Sequence, residues 1–230
     1  MRGNEIAKEL NISTSALRHY ESWGIIPKVE RAKNGYRIYT YEHQAYFRCI
    51  RSMLPGFGMD FIKEIMPLVM TGEMTKVLWK INDEQVKLHT EKQIVKHTIA
   101  ILDPTALSST PKYKDKKHFS IGEVAKEATV STSAIRHWEK EGLLKPTRNK
   151  DSRFREFNIY DIRRVFIIRT VQRAVFSLES VKEVLERLDN NEISHTREIA
   201  VNTLQQIDGI LLEQIKGISS FNELLRVISE

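Results

Sequence analysis

The chain has 230 residues, 41% apolar and 29% charged, the composition of an ordinary folded protein with room for two modest domains rather than one large core. Its net charge of +6 is unevenly spread: residues 112–175 hold an excess of Lys and Arg while 179–230 are on balance acidic, which points to a polyanion-binding face beside a packing module. A single cysteine, Cys49, excludes an internal disulfide and a thiolate metal cage, and no apolar stretch suits a membrane span or a secretory leader, so a cytoplasmic protein is expected.

Asn4 to Leu10 has the spacing of a short helix with Ile6, Ala7 and Leu10 inward. A turn, Asn11-Ile12-Ser13, joins it to the stretch Ser13-Thr-Ser-Ala-Leu-Arg-His-Tyr-Glu-Ser-Trp-Gly24. That stretch recurs 118 residues later as Ser131-Thr-Ser-Ala-Ile-Arg-His-Trp-Glu-Lys-Glu-Gly142, with eight positions identical. A repeat of this kind fixes the architecture before any element is assigned. In each copy Ser13 or Ser131 is placed to cap a helix, and the preceding Ile12 or Val130 to staple onto Leu17 or Ile135. Thr14, Ser15, Arg18 and His19 then share a polar face opposite Leu17 and Tyr20, and Gly24 or Gly142 ends the helix. Two short helices at this spacing form a helix-turn-helix.

Beyond Pro27 the chain reads as strands, Val29 to Arg31 and Tyr36 to Thr40, around Asn34-Gly35, a hairpin signal because both residues tolerate positive φ. Helices are predicted over Tyr41 to Leu54, with Cys49 buried, and over Met59 to Val69. Gly72 to Leu102 follows as a long helix with Met74, Ile81, Leu88, Val95 and Leu102 at a seven-residue interval and Leu78, Gln85, Lys92 and Ile99 as the companion column. Met66, Met70 and Met74 are expected in the core, and His89, His97 and His195 on the long helices are expected to be solvated rather than metal ligands. Residues 105–118 form a flexible basic linker.

The second copy opens with Ser120 and Glu123 in a capping box that the first copy lacks, so the first helix of copy one is expected to be less firmly anchored. Its hairpin has Lys150-Asp151-Ser152 and no glycine, which predicts a looser or longer tip. Tyr160 to Val175 and Leu178 to Leu188 repeat the next two helices, with Ser177 as a cap. The last long helix carries Ala200, Leu204, Ile207, Leu211, Gln214, Ile218, Phe221, Leu225 and Ile228 in steps of four and three, with Gly209 and Gly217 each costing about 1 kcal/mol against alanine. The segments are therefore 1–71, a long helix at 72–104, the linker 105–118, a second domain at 119–189 and a coiled-coil-type helix at 190–230.

Helix, turn, Ser-x-x-x-Leu/Ile-Arg-x-Tyr/Trp-Glu-x-x-Gly-Leu/Ile-Leu/Ile and a hairpin ending Tyr/Phe-Arg-x-Tyr/Phe resemble the winged helix-turn-helix of MerR-type transcription regulators over 4–69 and 120–188. The resemblance implies a mainly α fold: tandem winged helix-turn-helix domains with small β-hairpin wings, each followed by a long coiled-coil-type helix. It implies that Thr14, Ser15, Arg18 and His19, and Thr132, Ser133, Arg136 and His137, face double-stranded DNA. The family's tyrosine before Tyr-Glu is replaced here by His19 and His137. Wing cations Arg31, Lys33, Arg37, Arg148, Lys150, Arg153 and Arg155 would meet phosphates, which set register while the helix residues reach base edges. Tyr36, Tyr39, Phe154 and Phe157 are expected to pack wing against core.

Relatives of this type carry one DNA-binding unit and dimerise, whereas this chain holds two. A single-chain pseudo-dimer reading two similar half-sites is expected, with a homodimer as the alternative. The implied function is a regulator that distorts promoter DNA so that RNA polymerase can engage it. Two other readings stand beside it, a drug-sequestering MerR-like resistance protein and an architectural, excisionase-like DNA binder. No cofactor or metal is called for, and an apolar small-molecule effector would sit near Met70, Trp79 and Phe221. No nucleophile with a base, paired carboxylates or phosphate-cradling glycine loop suggests an enzyme.

Overall fold

A computed structural model of the chain describes residues 1–102, 113, 116–174, 177–190 and 192–229, and most of the linker at 105–118 lies outside these. Among the described residues the chain forms ten helices and four two-residue strands, the mainly α fold with paired small hairpins expected from the sequence. No described helix is long and apolar enough to cross a membrane.

In chain order the elements are α1 (Gly3–Glu9), α2 (Thr14–Ser22), β1 (Glu30–Arg31), β2 (Arg37–Ile38), α3 (Tyr41–Phe57), α4 (Met59–Met70) and α5 (Met74–Ala100). The second half follows as α6 (Ile121–Ala128), α7 (Thr132–Lys140), β3 (Thr147–Arg148), β4 (Arg155–Glu156), α8 (Ile159–Ala174), α9 (Leu178–Asp189) and α10 (Ile193–Ser229). They form two compact units, residues 1–88 with 208–230, and residues 89–207. Each long helix is thus divided: the segments read as separate at 72–104 and 190–230 contribute one end to each unit.

In the first unit Leu17 and Tyr20 from α2, Phe47 and Ile50 from α3, and Ile62 and Ile65 from α4 make a core that Val77 and Ile81 of α5 and Phe221 and Leu224 of α10 complete. In the second, Ile135 and Trp138, Phe166 and Ile168, and Val181 and Leu185 do the same with Ile94 of α5 and with Ile101 and Leu102 just beyond its end. Burial of this much apolar surface is the main stabilising term in each unit. Cys49 is fully buried, and that burial pushes its thiol up to about 12.

The end of each long helix docks on the first helix after a wing. In the first unit the Gln214 side-chain amide donates to the Gly56 carbonyl at 3.1 Å, and the Ser52 hydroxyl to that of Lys216 at 3.3 Å. In the second, the Thr98 and Thr170 hydroxyls bond at 2.8 Å, Arg169 pairs with Glu91 at 2.5 Å, and His97 lies edge-on to Phe166 at 4.6 Å, so His97 is a packed ring rather than a solvated one. The seven-residue columns are buried where the sequence predicts at Ile81, Leu88 and Val95 of α5, with Leu102 just beyond its end, and at Ala200, Ile207, Gln214 and Phe221 of α10. Their companions stand one residue earlier than expected: Val77 and Thr98 are buried where Leu78 is exposed, and Thr203, Gly217 and Leu224 where Leu211 is exposed. Met66 is core, Met74 is half-buried and Met70 is exposed.

Other expectations change in detail. Helix α3 runs through Pro55 to Phe57 instead of ending at Leu54, because buried Met53 and Gly56 hold the last turn on the core while Pro55 itself faces outward. Helix α1 is anchored after all: the Glu5 carboxylate accepts from the Arg2 N–H at 2.9 Å, and Glu9 bonds Gln44 and Arg48 of α3. In α6 the Ser120 box forms, and the Lys116 ammonium, with the Ser120 N–H and hydroxyl, holds the Glu123 carboxyl down at about 2. Tyr113, from the linker, is buried and donates its hydroxyl to Glu127 at 2.6 Å.

Candidate nucleic-acid interface

The two repeated stretches fold alike. The Ser13 hydroxyl accepts from the Ala16 N–H and that of Ser131 from Ala134, each at 3.1 Å, so α2 and α7 begin where the cap predicts. Gly24 and Gly142 end them at φ of 65° and 76°, a conformation that costs a larger residue about 1 kcal/mol or more. Leu17, Tyr20, Ile135 and Trp138 point into their cores. Thr14, Ser15, Arg18 and His19 are all exposed, as are Ser133, Arg136 and His137, while Thr132 is half-buried. Among the described residues no carboxylate lies within ion-pairing distance of Arg18 or Arg136. A structural ion pair is therefore not what holds either arginine on this face.

The wings differ from one another. In the first, Ala32 N–H bonds the Tyr36 carbonyl at 2.8 Å and Gly35 alone takes positive φ, 80°, so the turn has three residues and Asn34 keeps an ordinary conformation. In the second, Asn149 N–H bonds the Phe154 carbonyl at 2.9 Å, and the turn is one residue longer with Arg153 at φ 59°. The Asn149 side chain accepts from the Asp151 and Ser152 N–H groups, so the longer tip is braced rather than loose.

Arg37 and Arg155 are placed in ion pairs that tie wing to helix. Arg37 Nε meets Glu21 of α2, and Arg155 Nε meets Glu139 of α7, each at 2.5 Å, with all four side chains more than two-thirds buried. Such a pair fixes the wing on its helix more than it offers charge to a partner. Arg31 and Arg148 each donate to a carbonyl of their own turn, Gly35 or Arg153, at 3.4 Å, and Arg148 also approaches Glu139 at 3.8 Å. Lys33, Lys150 and Arg153 are exposed and, among the described residues, without a carboxylate partner. In the first unit an open groove of about 970 Å³ runs between α1, α2 and the wing, bringing together Arg2, Thr14, Arg18, Asn34, Tyr36 and Arg37.

Tyr39 and Phe157 pack into the cores as expected, but Tyr36 and Phe154 are three-quarters exposed, one on each wing. The reason is the strand period of two: with Tyr39 and Phe157 facing in, residues an odd number away face out. Residues that sequence reasoning passed over are Glu21, Glu139 and Trp23. The signal for the glutamates was present, since both copies repeat Tyr/Trp-Glu and the wing arginine together. Of the three residues suggested for an apolar effector, Phe221 belongs to the core while Met70 and Trp79 are exposed, and none lines this groove.

Strain at Arg153 gives one test. Replacing it with glycine is expected to raise stability in thermal unfolding by up to about 1 kcal/mol, since glycine adopts positive φ without a Cβ clash. If Arg153 meets a phosphate as the resemblance implies, the same change also weakens DNA binding and lowers the slope of log affinity against log salt by about one phosphate.

Family models for the "MerR HTH family regulatory protein" and the "MerR family regulatory protein" match residues 119–188 and 4–39. A probable heavy metal-dependent transcriptional regulator of Haemophilus influenzae is 35% identical over 107 residues, 46% of this chain and 82% of that one. The HTH-type transcriptional regulator ZntR of Escherichia coli is 31% identical over 103 residues, 44% and 67% of the two chains. The mercuric resistance operon regulatory protein of Serratia marcescens is 29% identical over 94 residues, 41% and 65%. No solved structure matches.

Proposed function

This chain belongs to the MerR family of DNA-binding transcription regulators, and on that premise we propose that α2 and α7 are two recognition helices reading the two halves of one pseudo-palindromic promoter site. The observation that carries this is the make-up of the two units: residues 208–230 complete the first unit and the end of α5 completes the second. Each unit borrows the far end of the long helix that follows the other, the exchange that a two-fold dimer makes between its subunits. The positions agree with the repeat, since Thr98 meets Thr170 and Lys216 meets Ser52, both pairs offset by the 118 residues that separate the copies.

Arg18 and Arg136, with Thr14, Ser15, His19, Thr132, Ser133 and His137, face base edges and nearby phosphates. Lys33, Lys150 and Arg153 meet the backbone from the wings, with Arg31 and Arg148 behind them. Arg37 and Arg155 act as wing anchors through Glu21 and Glu139. Two clamped wings and two helices supply contacts to offset the roughly 1–6 kcal/mol that bending a promoter costs, and RNA polymerase then engages the distorted DNA in the cytoplasm. Cys49 does not carry over to this chain the metal response named for its relatives, because burial keeps its thiol protonated and away from solvent.

Light scattering on the chain with and without DNA tests the stoichiometry. A mass of 26.8 kDa for the free protein, and one chain per duplex carrying two inverted, similar but unequal half-sites recovered from random DNA, is expected. Twice that mass in the free protein would mean a true dimer with four recognition helices and would overturn the single-chain reading.

A further inference from the structure

The two recognition heads differ at one feature that the repeat does not share. In the first unit the His19 ring stacks on the Trp23 ring, with centroids 5.6 Å apart and planes at 24°, and the Lys63 ammonium sits 4.1 Å above the centroid of that indole. His19 and Trp23 are four residues apart, so both lie on one side of α2 and its cap, and Lys63 reaches them from α4. Trp23 also leans on Tyr20 at 5.9 Å, which seats the indole on the core while 42% of it stays exposed. In the second unit Glu141 stands where Trp23 would be and Lys182 where Lys63 would be. His137 has no ring contact among the described residues.

We propose that Trp23 is a positioning residue for DNA reading: the His19–Trp23–Lys63 stack fixes the imidazole and the ammonium beside the DNA-facing side of α2, so the first head discriminates bases at the His19 position more sharply than the second does through an unstacked His137. This rests on the reading of α2 as the DNA-facing helix. An imidazole held in one orientation loses less freedom on binding than a mobile one, and it offers its donor or acceptor to one base edge rather than averaging over several. The ammonium is kept close to where the backbone would pass by an electron-rich ring, an arrangement that stays available to a phosphate because the ring carries no formal charge to neutralise it. A carboxylate at the same place, Glu141, gives the second head neither effect.

The test uses the full chain and a duplex carrying both recovered half-sites, with single base changes placed in one half-site at a time. Trp23→Ala is expected to lower affinity by about threefold to tenfold, the weight of a ring stack with a cation contact, and to flatten base preference in the first half-site only. Trp23→Phe, which keeps a ring to stack on, is expected to stay within about twofold of the unaltered chain. Glu141→Trp is the gain-of-function arm: with Lys182 at the repeat position of Lys63, it is expected to sharpen base preference in the second half-site. If Trp23→Ala lowers affinity equally for duplexes altered in either half-site, together with a lower melting midpoint, the residue is merely structural and the proposal fails. Unchanged discrimination in both Trp23→Ala and Glu141→Trp overturns it as well. Arg18→Ala separates the two levels, since a large loss there with no effect of Trp23→Ala sinks this proposal alone, whereas no loss in either sinks the reading of α2.

Discussion

The double variant Arg18→Ala, Arg136→Ala is expected to bind promoter DNA about a hundredfold to ten-thousandfold more weakly than the unaltered chain, with each single change giving roughly half of that loss on a logarithmic scale. An arginine that makes a good base or base-and-phosphate contact contributes about 1–3 kcal/mol, and the proposed interface has one on each head. Both side chains are exposed on the polar face of a capped helix, and among the described residues neither has a carboxylate to satisfy it. Removing them therefore breaks no internal pair and should leave the melting midpoint within about a degree or two, a surface change of under about 0.5 kcal/mol. Because the two residues belong to separate compact units, their effects should add.

Arg37→Ala and Arg155→Ala should behave differently. Each removes one partner of a mostly buried pair, leaving Glu21 without its arginine or Glu139 with only the more distant Arg148, so affinity and stability should fall together. Fluorescence anisotropy at two salt concentrations, beside thermal unfolding, separates the two classes. An affinity unchanged in the Arg18, Arg136 double variant would remove α2 and α7 from the interface altogether.

What the sequence made legible follows from which residues carry strong local signals. The caps at Ser13, Ser131, Ser120 and Ser177, and the helix stops at Gly24 and Gly142, are backbone chemistry that a few neighbouring residues decide, and all of them form. The companion columns of the long helices were displaced by one position for the opposite reason. The buried places are held by Thr98, Thr203 and Gly217, which have little or no hydropathy, while Leu78 and Leu211 beside them are apolar yet exposed. Thr98 and Thr203 can be buried because each hydroxyl donates to the carbonyl four residues earlier, Ile94 or Ile199, at 2.9 and 2.8 Å.

The resemblance, together with charge, assigns the wing arginines to phosphates. Charge does not reveal that a glutamate sixteen residues earlier lies within reach once the hairpin folds back on the helix. The Trp23 stack was invisible for a related reason, since Lys63 is far from it in the chain and the second copy keeps the lysine, as Lys182, but not the tryptophan.

The largest stability effect is expected where a small residue hides inside a predicted loop. Gly56 lies past Pro55, where the sequence suggests that α3 has already ended, yet it is buried in the last turn and the backbone of α10 crosses directly over it. A Cβ at Gly56 would stand 2.5 Å from the Gln214 nitrogen and 2.8 Å from its Cα, and one at Gly217 would stand 2.9 Å from the Met53 Cα. These are backbone atoms, so no rotamer change relieves the overlap and the two helices must move apart. Separation would also stretch the bond from Gln214 to the Gly56 carbonyl and leave a buried amide without its acceptor.

Gly56→Ala is therefore expected to destabilise the first unit by about 3 kcal/mol or more, and Gly217→Ala by about 1–3 kcal/mol net of the helix propensity that alanine restores. Gly209 lies on the same helix with nothing within 4 Å of the added Cβ, so Gly209→Ala should have the opposite sign and stabilise by about 0.5–1 kcal/mol. Denaturant unfolding gives the magnitudes. Hydrogen exchange should place the Gly56→Ala loss in α3 and residues 208–229 while α7 and α8 keep their protection. A neutral Gly56→Ala would mean that α10 does not approach α3 at this point. Equal effects from Gly209→Ala and Gly217→Ala would mean that propensity, and not the crossing, sets how much a glycine costs this helix.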